Sequence, residues 1–166
     1  MKYLTSKYKQ LICVFGAFWI VPFILFCFSF PNINSNLETY NFTRNENIIF
    51  FGKIALNNLY VGFLIIISGF IFKYVPYFLY GYNSVMFSIL LSISTIENGL
   101  KITLLKLLPH SFTEIIGLSV CVLIGRHIKK DFRKKDVHKC IFFAVFIIII
   151  AAFIEAFISN NMEVVL

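Results

Sequence analysis

The chain has 166 residues, of which 59% are hydrophobic and only 14% are charged; its net charge is +7 and its mean hydropathy is +0.84. A typical soluble domain is about 45–50% apolar and about 25% charged, and a chain this short cannot hide so much apolar surface from water. The composition therefore excludes the soluble classes, and with them most soluble enzymes. It predicts a single membrane domain over residues 1–166.

The first apolar run, residues 11–30, is uncharged and long enough to cross about 30 Å of hydrocarbon. Three lysines precede it, so a cleavable signal peptide is the alternative interpretation. Signal peptides, however, have apolar cores of about 7–15 residues and end in a small-residue cleavage site. This run ends in Cys-Phe-Ser-Phe-Pro, so we expect a retained membrane span.

A polar, Asn-rich loop over residues 31–47 separates this run from two further spans near 48–72 and 74–96. The first of these contains Lys53, whose long stem is expected either to snorkel to the interface or to face protein. The runs are continuously apolar rather than alternating, which indicates helices and not the strands of a barrel.

The second half of the chain is less regular. Residues 97–111 are amphipathic and broken by Pro109, so we expect them to lie at the interface or to form a re-entrant segment. A short apolar run near 112–126 follows, then a basic loop at 126–139, and the last clear span lies near 140–159.

Lys and Arg concentrate in two segments, residues 1–10 and 126–139. Because such residues flank membrane spans mainly on the cytoplasmic side, both segments are expected to be cytoplasmic. An even number of crossings must then separate them, and the four runs between them satisfy this condition. The sequence predicts an all-α, polytopic transmembrane helical bundle of about five spans with a cytoplasmic N-terminus, located in the cell membrane. Anionic lipid is the expected contact of 126–139, and nucleic acid is not expected.

Motifs for catalysis, cofactors or metals are not found in the sequence. The chain contains no His-Glu-x-x-His, Gly-x-Ser-x-Gly or Walker sequence. The cysteines form no Cys-x-x-Cys pair, and three of them lie in apolar runs, where they behave as small hydrophobic residues. We therefore predict a protein that is not an enzyme and has no cofactor. The cysteines are Cys13, Cys27, Cys121 and Cys140.

His110 and Glu114 are four residues apart and would share one face of a helix. They could contact a cation together, but two ligands are too few for a zinc site. The favoured interpretation is structural: Pro109 and His110 begin a short helix, and Glu114 lies in its first turn, stabilised by free backbone N–H groups and the helix dipole.

Small residues recur every four positions in three of the runs, a spacing that lets helix backbones approach closely in lipid. Packing within the chain is the preferred interpretation, ahead of homodimerisation. Glu155 adjoins the last of these stripes and is expected to face the bundle interior, either as an ionisable functional group or as a neutral structural one. The stripes are Ser84, Ser88 and Ser92; Gly117, Cys121 and Gly125; and Ala152 and Ala156.

Several segments in order resemble the stage II sporulation protein M family. The stretch Pro109-His110-Ser111-Phe112-Thr113-Glu114 is similar to the family's Pro-His-Gly-x-x-Glu signature, with Ser in place of Gly. Asn83 resembles the Asn of an Asn-Gly motif, with Ser84 at the Gly position. Glycine at these positions would suit tight turns. Also fitting the pattern are Asn57 or Asn58, Gly69 and residues 151–159.

The resemblance implies a bacterial multi-pass membrane protein without known catalytic chemistry. Members of the family anchor cell-wall hydrolases to the membrane during engulfment in endospore formers. Other members accompany ATP-binding cassette subunits in export of, and self-protection against, circular bacteriocins. The resemblance thus implies a scaffold that organises partner proteins or, alternatively, a permease-like subunit. The candidate polar residues are Asn58, Asn83, Pro109, His110, Glu114 and Glu155.

Overall fold

The computed structural model describes residues 44–131 and 135–159, and these residues form helices without β-strands. The prediction of an all-helical fold is therefore confirmed. The predicted span at 11–30 and the N-terminal segment lie outside the described residues. The helices are α1 (Arg44–Ile71), α2 (Val75–Asn98), α3 (Leu100–Asp131) and α4 (Lys135–Phe153), and a π-helical segment (Ile154–Ser159) continues α4.

Four stretches of the described residues are long and apolar enough to cross a membrane, and each overlaps one of the four predicted spans that follow the first. Large apolar side chains such as Phe63, Phe78 and Phe142 point away from the bundle. This arrangement suits a protein surrounded by hydrocarbon, because apolar side chains that contact lipid tails have no hydrophobic cost. The stretches are Glu46–Ile71, Val75–Ile96, Pro109–Lys129 and Val137–Ile158.

Helices α1 and α3 each pack against the other three described helices, and α3 is the more enclosed of the two. Its membrane-spanning stretch is 56% buried, compared with 28–33% for the other three. Val122 and Leu118 are almost fully enclosed. The hydroxyl groups of Tyr80 on α2 and Ser119 on α3 are 2.7 Å apart and share a hydrogen bond.

Helices α1 and α3 cross in backbone contact at Gly69 and Gly125. A Cβ atom on Gly69 would collide with the Gly125 carbonyl group, and a Cβ on Gly125 would lie 2.7 Å from the Ile65 carbonyl oxygen. Gly117 allows a similar approach to α4, since a Cβ there would lie 2.8 Å from Cγ1 of Ile148. Glycine is needed at the crossing because any side chain would push the helices apart.

Pro109 does not break the helix, so the expected break at this position is wrong, while an interfacial or re-entrant placement of residues 97–111 stays a prediction. Helix α3 continues through Pro109, although proline lacks the N–H of one helical hydrogen bond. Two side chains near Pro109 bond to other backbone groups of the same helix. Thr113 Oγ1 donates to the Pro109 carbonyl at 2.9 Å, and the His110 ring hydrogen-bonds to the backbone of Lys106. Membrane helices tolerate an interior proline more readily than soluble helices do.

The basic segment 126–139 is not a loop over most of its length, which corrects the sequence-based expectation. Residues 126–131 form the last turns of α3, and α4 begins at Lys135. Lys and Arg are good helix formers, so both helices continue past the apolar stretch on cationic residues. Residues 132–134 lie outside the described part of the chain.

The connection between α2 and α3 is made by Gly99, the position with positive φ (79°) among the described residues. Thr103 Oγ1 donates to the Ser94 carbonyl at 2.9 Å and fixes the two helix ends together. Ser84 and Ser111, where the family pattern suggested tight turns, both lie inside helices. Tight turns at these two positions are therefore not part of the fold.

Candidate functional site

A groove of about 570 Å³ collects polar side chains from α1, α2, α3 and the π-helical segment. Polar and ionisable groups inside a membrane are costly and mark functional sites by default. Five of the six polar candidates from the sequence line this groove, and Pro109 does not; the five are Asn58, Asn83, His110, Glu114 and Glu155. We call it the polar groove. Its other polar lining residues are Lys53, Asn57 and Ser94.

The polar groove lies in the half of the bundle that is distant from the basic end of α3. At about 1.5 Å per residue, Asn83 is about 12 Å along α2 from Val75, and Ser94 is about 28 Å along it. Since the hydrocarbon core is about 30 Å thick, the groove extends from the middle of the membrane towards the α2–α3 connection.

Glu114 and Glu155 are the acidic members of the groove, and they are close enough to interact electrostatically. Glu155 lies in the π-helical segment, and such segments displace side chains from helical register and occur often at functional sites. Glu155 faces the groove, next to the fully buried Ala152 and Ala156.

Glu114 does not lie at a helix N-terminus, so the expected stabilisation by free backbone N–H groups and the helix dipole is wrong. It lies in the interior of α3, where backbone N–H groups bond to carbonyls of the preceding turn. Its polar surroundings are instead the side chains of the groove, with Asn83 on α2 and His110 one helical turn before it.

His110 and Glu114 share one face of α3 and both line the groove. Among the described residues, no three His, Cys, Asp or Glu side chains come together as a metal site would require. The pair therefore contributes hydrogen-bonding capacity to the groove, with one carboxylate and one buried imidazole already bonded to backbone.

Lys53 and Asn57 also belong to the groove; the sequence marks Lys53 only as an interruption of an apolar run, and Asn57 only as an alternative to Asn58 in the family pattern. They are four residues apart on α1, and Asn57 donates a long hydrogen bond of 3.4 Å to the buried Asn58. Their spacing of four residues could have identified them as a pair from the sequence, because it places both side chains on one helix face, as for His110 and Glu114.

A second, smaller cavity of about 20 Å³ shares Asn83 and Glu114 with the polar groove and lies between α2 and α3. Tyr80, Ser84 and Ser111 also line it. Ser111 is 4% exposed, and its Oγ has no hydrogen-bond partner. A cavity of this size accommodates a single water molecule.

The serine stripe of α2 lies in the bundle interior and not on the lipid face. Ser84 Oγ donates to the Tyr80 carbonyl at 2.9 Å, and Ser92 Oγ donates to the Ser88 carbonyl at 2.8 Å. In bonds of this kind the hydroxyl group is satisfied by a carbonyl of its own helix. The small serine side chains then allow a neighbouring helix to pack closely. The stripe thereby brings α2 close to its neighbours beside the groove.

The described residues define a multi-pass integral membrane protein of the helical type, with a polar groove among its membrane helices. The chain belongs to the family of stage II sporulation protein M, whose family model matches residues 10–160. This match confirms the resemblance seen in the sequence, and it includes every residue of the polar groove. Comparisons with curated proteins and with solved structures find no match.

Proposed function

We propose that this protein is a non-catalytic subunit of the cell membrane that organises partner proteins, and that the polar groove receives a membrane helix of such a partner. The observation that carries this proposal is the convergence of polar side chains from four separate segments on one surface. Asn, His and acidic side chains bond membrane helices to each other, because lipid offers them no alternative partner.

The charges of the groove support an interaction with protein rather than with lipid tails. Glu114 and Glu155 are costly in contact with hydrocarbon, and a partner helix with polar or basic groups would reduce that cost. In a spore former, family membership suggests as partner the membrane component of a cell-wall hydrolase complex that acts during engulfment.

Site-specific photocrosslinking in the native membrane tests this role. A benzophenone side chain at Met86, which is exposed and lines the groove, is expected to capture a discrete partner. The same side chain at Phe142, which is exposed on α4 and is not a groove residue, is the control. Capture from Met86 should be lost in a Glu155→Leu background if the groove recognises polar groups of the partner.

Equal capture of one protein from both positions would contradict recognition by the groove, as would capture from Met86 that is insensitive to Glu155→Leu. Membrane abundance of each variant must match the parent chain, so that loss of capture reports binding and not loss of protein.

The second candidate is a permease-like subunit that works with an ABC ATPase in circular-bacteriocin export or self-immunity. The observation that favours it is the polar lining that reaches the middle of the membrane from one end. A translocated peptide would need such a lining, and the ATPase would bind the cytoplasmic side.

Accessibility of Asn57 separates the two candidates. A hydrophilic thiol reagent should label Asn57→Cys in the scaffold only when the partner is absent, because the bound helix covers the groove. In a permease, labelling should persist with the ATPase present and should change with ATP. Leu56→Cys, which is exposed beside the groove, controls for reagent access in lipid.

A further inference from the structure

The end of the bundle opposite the polar groove contains a hollow of about 380 Å³, which we call the basic pocket. It lies between the α1–α2 connection and the last turns of α3. Its lining residues are Gly69, Phe72, Lys73, Arg126, His127 and Lys129. Three of these six are Lys or Arg and none is acidic, although Lys73 is distant in sequence from the other two.

The basic pocket lies at the level of lipid headgroups. The apolar stretch of α1 ends at Ile71, that of α2 begins at Val75, and that of α3 ends at Lys129. These three boundaries are all beside the pocket. Phe72, which lines the pocket, and the neighbouring Tyr74 are exposed, and aromatic side chains collect at the boundary between hydrocarbon and headgroups.

Tyr77 holds the guanidinium of Arg126 in place. Arg126 Nη1 donates to the Tyr77 hydroxyl at 2.6 Å, and its Cζ lies 5.6 Å from the centre of the Tyr77 ring. A guanidinium has five N–H donors in a planar fork that matches phosphate oxygens. The bond to Tyr77 uses one of them, so the group is oriented and can still donate to an anion.

The two lysines are also fixed close to the pocket. Lys129 Nζ lies 3.4 Å from the Ile71 carbonyl oxygen at the end of α1, a position favoured by the helix dipole. Lys73 Nζ lies 4.8 Å from the centre of the Tyr74 ring. Ammonium groups from two segments therefore accompany the Arg126 guanidinium.

We propose that the basic pocket binds the phosphate group of an anionic phospholipid as a defined site. The ligand is a lipid headgroup rather than a soluble phosphate, because the pocket lies at headgroup level and its lining includes the apolar residues Gly69 and Phe72 beside the charges. Basic hollows between membrane helices on the cytoplasmic side bind acidic headgroups in this manner. The site is independent of the polar groove and of the proposed function.

Native mass spectrometry of the full chain in nanodiscs with equal phosphatidylglycerol and phosphatidylcholine tests the proposal. The parent chain should retain phosphatidylglycerol in preference to phosphatidylcholine. Lys73→Gln, Arg126→Gln and Lys129→Gln should each weaken that retention about fivefold, the effect of one cation near an anionic surface. Lys139→Gln, which removes an exposed charge of α4 outside the pocket, should leave it unchanged.

The defined site would be overturned if the parent chain showed no preference for phosphatidylglycerol. It would also be overturned if Lys139→Gln weakened lipid retention as much as the pocket variants do, because the attraction would then be diffuse. Displacement of the lipid by inorganic phosphate or glycerol 3-phosphate would show that a soluble anion is the ligand. Lys73 lies in an exposed connection, so Lys73→Gln is expected to leave folding unaffected. If Arg126→Gln does not accumulate in the membrane, lipid retention by Lys73→Gln decides the outcome.

Discussion

Glu114, in the interior of α3, and Glu155, in the π-helical segment after α4, line one groove and interact electrostatically. Two carboxyl groups in a partly desolvated site repel each other when both are ionised, so full ionisation of the pair is unfavourable by itself. Natural proteins retain such groups chiefly where they have a role, and in a membrane this inference is stronger because each carboxylate already costs free energy.

Glu155→Gln should raise the thermal unfolding midpoint of the purified protein in detergent. The amide keeps the shape of the side chain and removes one of two carboxyl groups that disfavour each other's ionisation, and we expect a gain of about 1 kcal/mol, the equivalent of about one pKa unit. That gain corresponds to about 2–4 °C for a chain of this size. Glu46→Gln, which removes an exposed carboxylate in the first turn of α1, should change the midpoint less.

Comparison of Glu155→Gln with Glu155→Leu distinguishes the charge of Glu155 from its hydrogen bonds in partner capture. If the carboxylate acts only through hydrogen bonds, Gln should preserve partner capture while Leu abolishes it. Loss of capture in both variants would indicate an ionisable role. Full capture and normal abundance with Leu would show that Glu155 has no part in the groove.

Gly69→Ala should destabilise the bundle by about 1–3 kcal/mol, because the added methyl group must displace the backbone of Gly125 and separate α1 from α3. Gly52 is the matched control on the same helix, since a Cβ there meets nothing within 4 Å. Gly52→Ala should stabilise by about 0.5–1 kcal/mol through reduced backbone entropy of the unfolded chain. Unfolding by sodium dodecyl sulfate in mixed micelles measures both.

Opposite signs for the two substitutions are the expected result. If Gly69→Ala is as harmless as Gly52→Ala, α1 and α3 do not cross in backbone contact at this point.

Ser111→Ala should be neutral or stabilising by about 1 kcal/mol, because the alanine removes a buried hydroxyl group whose Oγ has no partner. Ser84→Ala is the comparison at the same cavity, and it removes a hydroxyl that donates to the Tyr80 carbonyl. We expect the second variant to be the less stable of the two in the same micelle unfolding measurement. A clear loss of stability in Ser111→Ala would instead indicate that the hydroxyl binds a water molecule in the cavity.

The helices were predictable because their cause is local: continuous apolar runs of membrane length in a chain that cannot fold in water. The break predicted at Pro109 is wrong because a membrane helix tolerates an interior proline, and α3 continues through this residue. The loop predicted at 126–139 is wrong because a cluster of charged residues does not by itself end a helix. Lys and Arg are good helix formers and continue a helix beyond its apolar stretch.

The polar groove was only partly predictable. Its members could be identified one by one as costly polar residues, but their convergence depends on how each helix is rotated about its axis. That rotation is set by tertiary contacts such as Gly69 against Gly125, which no local pattern specifies. The basic pocket was not predictable for the same reason, since Lys73 joins Arg126 only through the packing of α1 and α3.

The topology prediction can now be tested with positions at both ends of the bundle. The α1–α2 connection at Lys73 and the start of α4 near His138 lie at one end, and the α2–α3 connection near Leu100 lies at the other. With the cytoplasmic placement of the basic residues, Lys73→Cys and His138→Cys in a cysteine-free chain should be labelled only after the membrane is permeabilised. Leu100→Cys should be labelled in intact cells by the same membrane-impermeant reagent.

Asn36→Cys, outside the described residues, extends the test to the predicted span 11–30. If that span crosses the membrane and α1 follows it, position 36 lies on the outer side and should be labelled together with Leu100→Cys. Labelling of Lys73→Cys in intact cells would reverse the orientation of the bundle. Labelling of Lys73→Cys and Leu100→Cys from the same side would contradict α2 as a membrane span.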